Sequence, residues 1–173
     1  MFATIYLPNF YLQAALRHQA ERHEAPVALI DGTETRAVIM QLNAAAIEAG
    51  VAIGMTPSQG LARCLALLVK TRVPAQEDAL SDVLLQYSSS LSPYLEATAP
   101  GVCTIQFTHP KNAARVVARV VSELAESEVV AQAGLAETPE TSLLAAHLAT
   151  PVLEVGNAKD FLAPLPIETL LLG

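Results

Sequence analysis

The chain has 173 residues, 52% of them apolar and 16% charged, with seventeen acidic residues against ten basic ones. That apolar content and a positive mean hydropathy exclude intrinsic disorder and a soluble coiled coil, and the length suits one good-sized domain, with or without a small inserted subdomain. The formal net charge of −7, with Lys and Arg scattered, makes the segment a poor nucleic-acid clamp on its own, because phosphate neutralisation supplies most of the affinity of such binders.

Strand-like and helix-like segments alternate along the chain. Residues 2–7 form a β-rich run stopped by Pro8, and Asn9 is the expected cap of a helix reaching about residue 23, with Tyr11, Leu12, Ala15, Leu16 and Gln19 at near-helical spacing. Residues 26–30 read as a short buried strand, Asp31-Gly32 as a turn and 37–42 as another strand. Asn43 caps a short helix ending at Gly50, a left-handed C-cap; Thr56 and Pro57 open a second helix to about Cys64, and 65–70 is a strand. A helix over 78–90 presents Leu80, Val83, Leu84 and Tyr87 on one face. Strands over 94–98 and 102–107 flank Pro100-Gly101. The clearest helix covers 111–126 with Ala114, Val117, Val121 and Leu124 as its stripe; a strand at 129–135, a helix at 139–149 and a strand at 151–155 complete the pattern.

This order predicts an α+β fold, a ferredoxin-like split βαβ layer with a mainly antiparallel sheet. The layer is built from residues 1–33 and 72–160, with 34–71 as a small insertion held by Ile39, Leu42, Ile53, Met55 and Leu61. The tail, FLAPLPIETLLLG, ends in apolar positions with nothing after them, which reads as a fragment of a longer chain. The most apolar stretch, residues 61–69, is short and contains Arg63, and the start has neither a basic flank nor a cleavage pattern. With only Cys64 and Cys103, both read as buried thiols, the expected compartment is the cytoplasm.

Generic site motifs are absent. His18, His23, His109 and His147 have no metal-ligand spacing, Ser88-Ser89-Ser90 reads as a solvated helix end, and there is no P-loop, G-x-G-x-x-G or G-x-S-x-G. The order of five segments carries more: IYLPNFYLQ (5–13), NAAAIEAGVAIGMTPSQGLARC (43–64), SPYLEATAPGVCTIQFT (92–108), AGLAETPETSLLAAHLA (133–149) and FLAPLPIETL (161–170). Together they resemble the palm-and-fingers region of Y-family translesion DNA polymerases, over nearly the whole chain. Gly50-Val51-x-x-Gly54-Met55 matches the fingers motif and is the most specific element. Phe10 and Tyr11 match the aromatic pair whose second member stacks under the incoming sugar.

The resemblance implies where catalytic groups would stand, and the residues there differ. The metal-ligand positions fall on Tyr6, Gly101 and Val102, the second acidic position of the first motif on Pro8, and Glu96 matches the Glu five residues ahead of the Asp-Glu pair. The fingers Tyr and Arg that hold the triphosphate fall on Ala44 and Ile47, and the Lys after the G-I-A strand is replaced in the Thr138-Pro139-Glu140 region. A phenol, a hydrogen and an isopropyl group are not ligands for Mg²⁺. The expectation is therefore a pseudoenzyme without metal or cofactor, most similar to the catalytically inactive ImuB-type proteins of bacterial mutagenesis cassettes. It would be a scaffold in DNA damage tolerance, translesion synthesis and the SOS response. Partners implied are a RecA-like companion, a replicative-type polymerase and the sliding clamp, through regions mostly beyond this chain, with weak or no DNA binding here and no membrane. Residues 161–173 would begin the link to a thumb. Two other readings stand beside it: an active nucleotidyltransferase with relocated acids such as Asp31 and Glu96, and a ferredoxin-like regulatory domain unconnected with DNA.

Overall fold

A computed structural model describes residues 1–17, 19, 25–32, 37–109 and 111–171. His18, His23 and the far end of the helix expected to reach residue 23 lie outside them. In chain order the elements are β1 (Phe2–Tyr6), α1 (Phe10–Leu16), β2 (Val27–Ile30), β3 (Ile39–Leu42), α2 (Ala44–Glu48), α3 (Pro57–Arg63), β4 (Leu68–Thr71), α4 (Pro74–Ser89), β5 (Leu95–Ala99), β6 (Val102–Gln106), α5 (Ala113–Glu126), β7 (Gln132–Ala136), α6 (Pro139–Leu148), β8 (Val152–Glu154), α7 (Ala158–Leu162) and a 3-10 helix over Ile167–Leu171. Two compact units result, one of Met1–Pro8 with Ser81–Gly173 and one of Asn9–Leu80. The second unit takes in α1 and β2 together with the stretch 34–71 that the sequence sets apart.

The first unit is the expected α+β layer. Its five-stranded sheet has the order β5-β6-β1-β7-β8. β1 runs antiparallel to both β6 and β7, β5 and β6 form an antiparallel hairpin, and only β8 is parallel to its neighbour. The first four strands have the ferredoxin-like order, and α6 with β8 extends it. Strand alternation separates the two faces. Ala3, Ile5, Cys103, Ile105, Ala133 and Leu135 are fully buried on one of them, where α5 packs with Ala113, Val117, Val120, Val121 and Leu124. Ala113 and Val120 thus join the expected stripe and Ala114 is only half-buried. Ser88 is a second correction: it is fully buried, not solvated, because its turn of α4 lies against Cys103, whose thiol pKa is pushed up by burial against the opposing pull of that hydroxyl. The opposite face carries Thr4, Tyr6 and Gly134, and α6 lies on it.

The second unit has its own sheet, of order β3-β2-β4, with β2 antiparallel to β3 and parallel to β4. One core gathers Ala28, Ile30, Ile39, Leu42, Ala46, Val51 and Leu67, with Met55 and a half-buried Cys64 against it; another joins Leu12, Ala15, Leu16, Val27 and Leu29. Ile53 and Leu61 do not hold this unit as expected: they are 69% and 39% exposed, Ile53 in a turn and Leu61 on the outer side of α3. Asn43 does more than cap α2. Its Oδ1 accepts from Ala46 N and Val27 N at 3.0 and 2.9 Å, and its Nδ2 donates to Ala25 O at 2.6 Å, which locks the helix start to β2. Thr56 and Gln59 form a reciprocal capping box on α3. Gly50 follows α2 with φ +82°, as its position predicts. Asn9 differs: it precedes α1 at φ 50° without a side-chain cap, its amide instead donating to Leu42 O at 3.3 Å.

One close approach sets the α6 layer. A Cβ at Gly134 would run into the Ser142 carbonyl oxygen and Ala146 N. Backbone atoms on both sides leave little room to relax, so Gly134→Ala is expected to cost about 3 kcal/mol, lowering the thermal midpoint by roughly 6–12 °C for a chain of this size. A wild-type melting curve for that variant would remove the contact from this role.

Candidate functional site

The C-terminal end of β1 is the focus of the first unit. Antiparallel register sets Tyr6 opposite Val102 on β6 and Gln132 on β7. Leu7 N donates to Gly101 O at 2.8 Å. Tyr6, Gly101 and Val102, nearly a hundred positions apart in the chain, are therefore neighbours at one end of the sheet. Gly101 has φ +73°, a left-handed conformation that the tight β5–β6 turn requires and that an L side chain adopts only with strain.

The Tyr6 ring packs on His147 of α6, with centroids 4.1 Å apart and planes inclined by 42°. Burial raises the phenol pKa and lowers that of the imidazole. Both groups are thereby kept neutral near pH 7, a packed aromatic pair and not a charged centre. Beside it a line of hydroxyls crosses the sheet: Thr98 Oγ1 donates to Thr104 Oγ1 at 2.8 Å, Thr104 lies 3.4 Å from Thr4 Oγ1, and Thr4 lies 2.7 Å from Ser142 Oγ, which donates to Pro139 O. His147 and this hydroxyl line have no local sequence signal, since their members meet only through register and the seating of α6. Among the described residues, no three His, Cys, Asp or Glu side chains are grouped to hold a metal ion.

The nucleotide-binding positions named by the resemblance, Phe10, Tyr11, Ala44 and Ile47, lie in the second unit. Phe10 is buried on α1 and Tyr11 half-buried, their rings edge to face at 5.3 Å. Ala44 and Ile47 are exposed on α2, Ile47 by 59%. Tyr11 has a partner the sequence did not suggest: the Arg72 guanidinium sits 4.0 Å above its ring centroid. Arg72 Nε and Nη2 donate to the two carboxylate oxygens of Glu77 at 2.9 and 2.6 Å, and Nη1 lies 3.8 Å from Asp31. The Glu77 hydrogen bonds are the main cause that raises the Arg72 pKa above its ordinary value. Of the two acids weighed for relocated catalysis, Asp31 is thus engaged with Arg72 in the second unit. Glu96 is exposed on β5 in the first.

The matching family model is that of the impB/mucB/samB family, over residues 5–147. The chain belongs to that family. Solved structures agree with this membership at the level of fold. DinB from Sulfolobus solfataricus has a TM-score of 0.83 at 15% identity, covering 97% of this chain and 52% of that one. A post-insertion binary complex of Dbh DNA polymerase gives 0.86 at 15%, with 97% and 52% covered, and an insertion ternary complex of Dbh gives 0.84 at 14%, with 97% and 53% covered. This member of the impB/mucB/samB family therefore has the Y-family palm fold and spans about half the length of those polymerases. No curated protein matches it by sequence. Among the described residues no helix is long and apolar enough to cross a membrane.

Two outcomes are expected from this geometry. Unfolded, His147 titrates near 6.5; folded, it binds its proton less readily, so its stabilising contribution is complete above that pH and declines as pH falls through it. The drop in urea midpoint between neutral and mildly acidic pH is expected to be smaller in His147→Phe than in the wild type; equal drops would exclude His147 as a source. Glu77→Ala, which removes the two-pronged partner of a half-buried guanidinium, is expected to lose about 1 kcal/mol in the same assay, and Arg72→Lys to lose part of it, because an ammonium lacks the two-pronged geometry.

Proposed function

We infer that this chain is a non-catalytic Y-family-like scaffold of bacterial DNA damage tolerance, of the ImuB type, with the polymerase palm retained as a structural frame. The observation that carries the reading is the chemistry at the end of β1. Polymerase catalysis uses two divalent ions held by hard anionic oxygens, and the positions that the family resemblance assigns to those ligands hold the Tyr6 phenol, Gly101 and Val102. These residues do not fit a Mg²⁺ site. The Tyr6 ring fills its space against His147, and Gly101 is committed to a left-handed turn. Ala44 and Ile47 offer no charge to a triphosphate.

On this reading the chain's contribution lies in recruiting a RecA-like companion, an active polymerase and the sliding clamp, through segments mostly beyond these residues. Its own grip on DNA is weak or absent. The first unit holds ten acidic residues and only Lys111, Arg115, Arg119 and Lys159 as cations. One of these, Arg119, already lies 3.5 Å from Glu123.

Primer extension with Mg²⁺ or Mn²⁺ is the test. Background activity is expected for the wild type and for Tyr6→Asp, since one carboxylate does not rebuild a two-ion site. Extension by the wild type that is lost on neutralising Asp31 or Glu96 would overturn the scaffold reading.

A further inference from the structure

The first unit carries a groove, of about 320 Å³, on the face of the sheet beside the hydroxyl line. Phe2, Tyr94, Glu96, Thr104, Gln106 and Pro139 line it. Its outer wall is β5, an edge strand that, among the described residues, pairs only with β6. Gln106 N donates to Tyr94 O at 2.8 Å, so Tyr94, and two residues on Glu96, direct their backbone groups to β6. By alternation Leu95 directs its backbone groups outward and Ala97 its N–H, ahead of a register shift between Ala97 and Ala99. Residues 96–99 are exposed and Tyr94 is 59% exposed. A free strand edge is a template for another strand, and proteins commonly blunt such edges with lysine. Here the strand's one charge is Glu96, on the groove side opposite Thr104.

The charged side chains around the groove have one sign. Glu137 and Glu140 are exposed on either side of the lining residue Pro139. Among the described residues, none of the three carboxylates forms an ion pair. The unit's cations lie on α7 and at or just before α5, and none of them lines the groove.

We propose that this edge and groove bind an extended cationic peptide segment of a partner protein. The peptide adds a strand to the open side of β5, bonding to the outward backbone groups of Leu95 and the outward N–H of Ala97. Its Lys or Arg side chains face Glu96 and the carboxylates beside Pro139, and an apolar side chain rests against Phe2 and Tyr94. Main-chain bonds supply affinity in this mode and the alternating side chains supply selection. Nucleic acid is disfavoured because its phosphates would meet unpaired carboxylates. Pairing with a second β5 would set one acidic strand against another. The proposal does not depend on the scaffold reading, since neither Tyr6, Gly101 nor Val102 lines the groove.

The test uses the whole 173-residue chain and a fluorescent, end-capped peptide of alternating Lys and Val, followed by anisotropy at low and high salt. The expected result is binding that weakens with salt, with no binding of the Glu–Val counterpart. Glu96→Lys is expected to weaken it about tenfold. Ala97→Pro removes an outward donor that the β5–β6 ladder does not use, a place where edge strands tolerate proline, and is expected to abolish binding with an unchanged circular dichroism spectrum. Absence of peptide binding, equal binding of both peptides, or wild-type affinity in Glu96→Lys would overturn the proposal. So would displacement of the peptide by a primer-template duplex, or self-association that Ala97→Pro removes.

Discussion

The placement of β1 between β6 and β7, antiparallel to both, is the constraint from which the first unit follows. A central strand with two partners has every backbone group committed along its length, and a slip of one residue would turn each side chain to the opposite face. In the observed register Ala3 and Ile5 enter the core under α5, while Thr4 and Tyr6 face α6. The close seating of α6 depends in turn on Gly134, which stands beside Thr4 in the ladder. That seating brings Ser142 to Thr4 and His147 to Tyr6.

The second unit is organised differently. A three-stranded sheet of short strands has little area to bury, and side-chain polar groups take over part of the stabilisation. Asn43 ties a helix start to two points on the chain around β2, and Arg72 joins Glu77, Asp31 and the Tyr11 face. A guanidinium suits this position because its plane stacks on a ring while its edge binds a carboxylate. Apolar side chains such as Ile47, Ile53 and Leu65 are left exposed.

Family membership and fold place the chain among polymerase-like proteins, and the proposed loss of catalysis rests on what fills the frame. At the end of β1 the frame holds two neutral rings and a glycine turn, while the acidic groups of the same unit lie on exposed surfaces, including the rim of a groove along β5. The two proposals use different residues of one sheet.

Most elements were legible in the sequence because their signals are local. Gly50, Thr56 with Pro57, and Pro100-Gly101 mark ends and turns by conformational preference alone, and the alternation of apolar runs gave the ferredoxin-like order. Counting along the resemblance named Tyr6, Gly101 and Val102, and the unbroken antiparallel register of β1 with β6 sets Tyr6 opposite Val102. Side chains whose environment is set at long range were not legible. Ile53 and Leu61 are as apolar as the core yet stay outside it, Ser88 is polar yet buried, and nothing near Arg72 in sequence announces Tyr11. The sequence by itself determined the secondary elements, their order and the residue types at the positions that the resemblance assigns to metal ligands, since those depend on local propensity and spacing. Only the tertiary structure decided that Tyr6 meets His147, that Arg72 covers Tyr11 and that β5 keeps an open edge, because each depends on how distant segments pack.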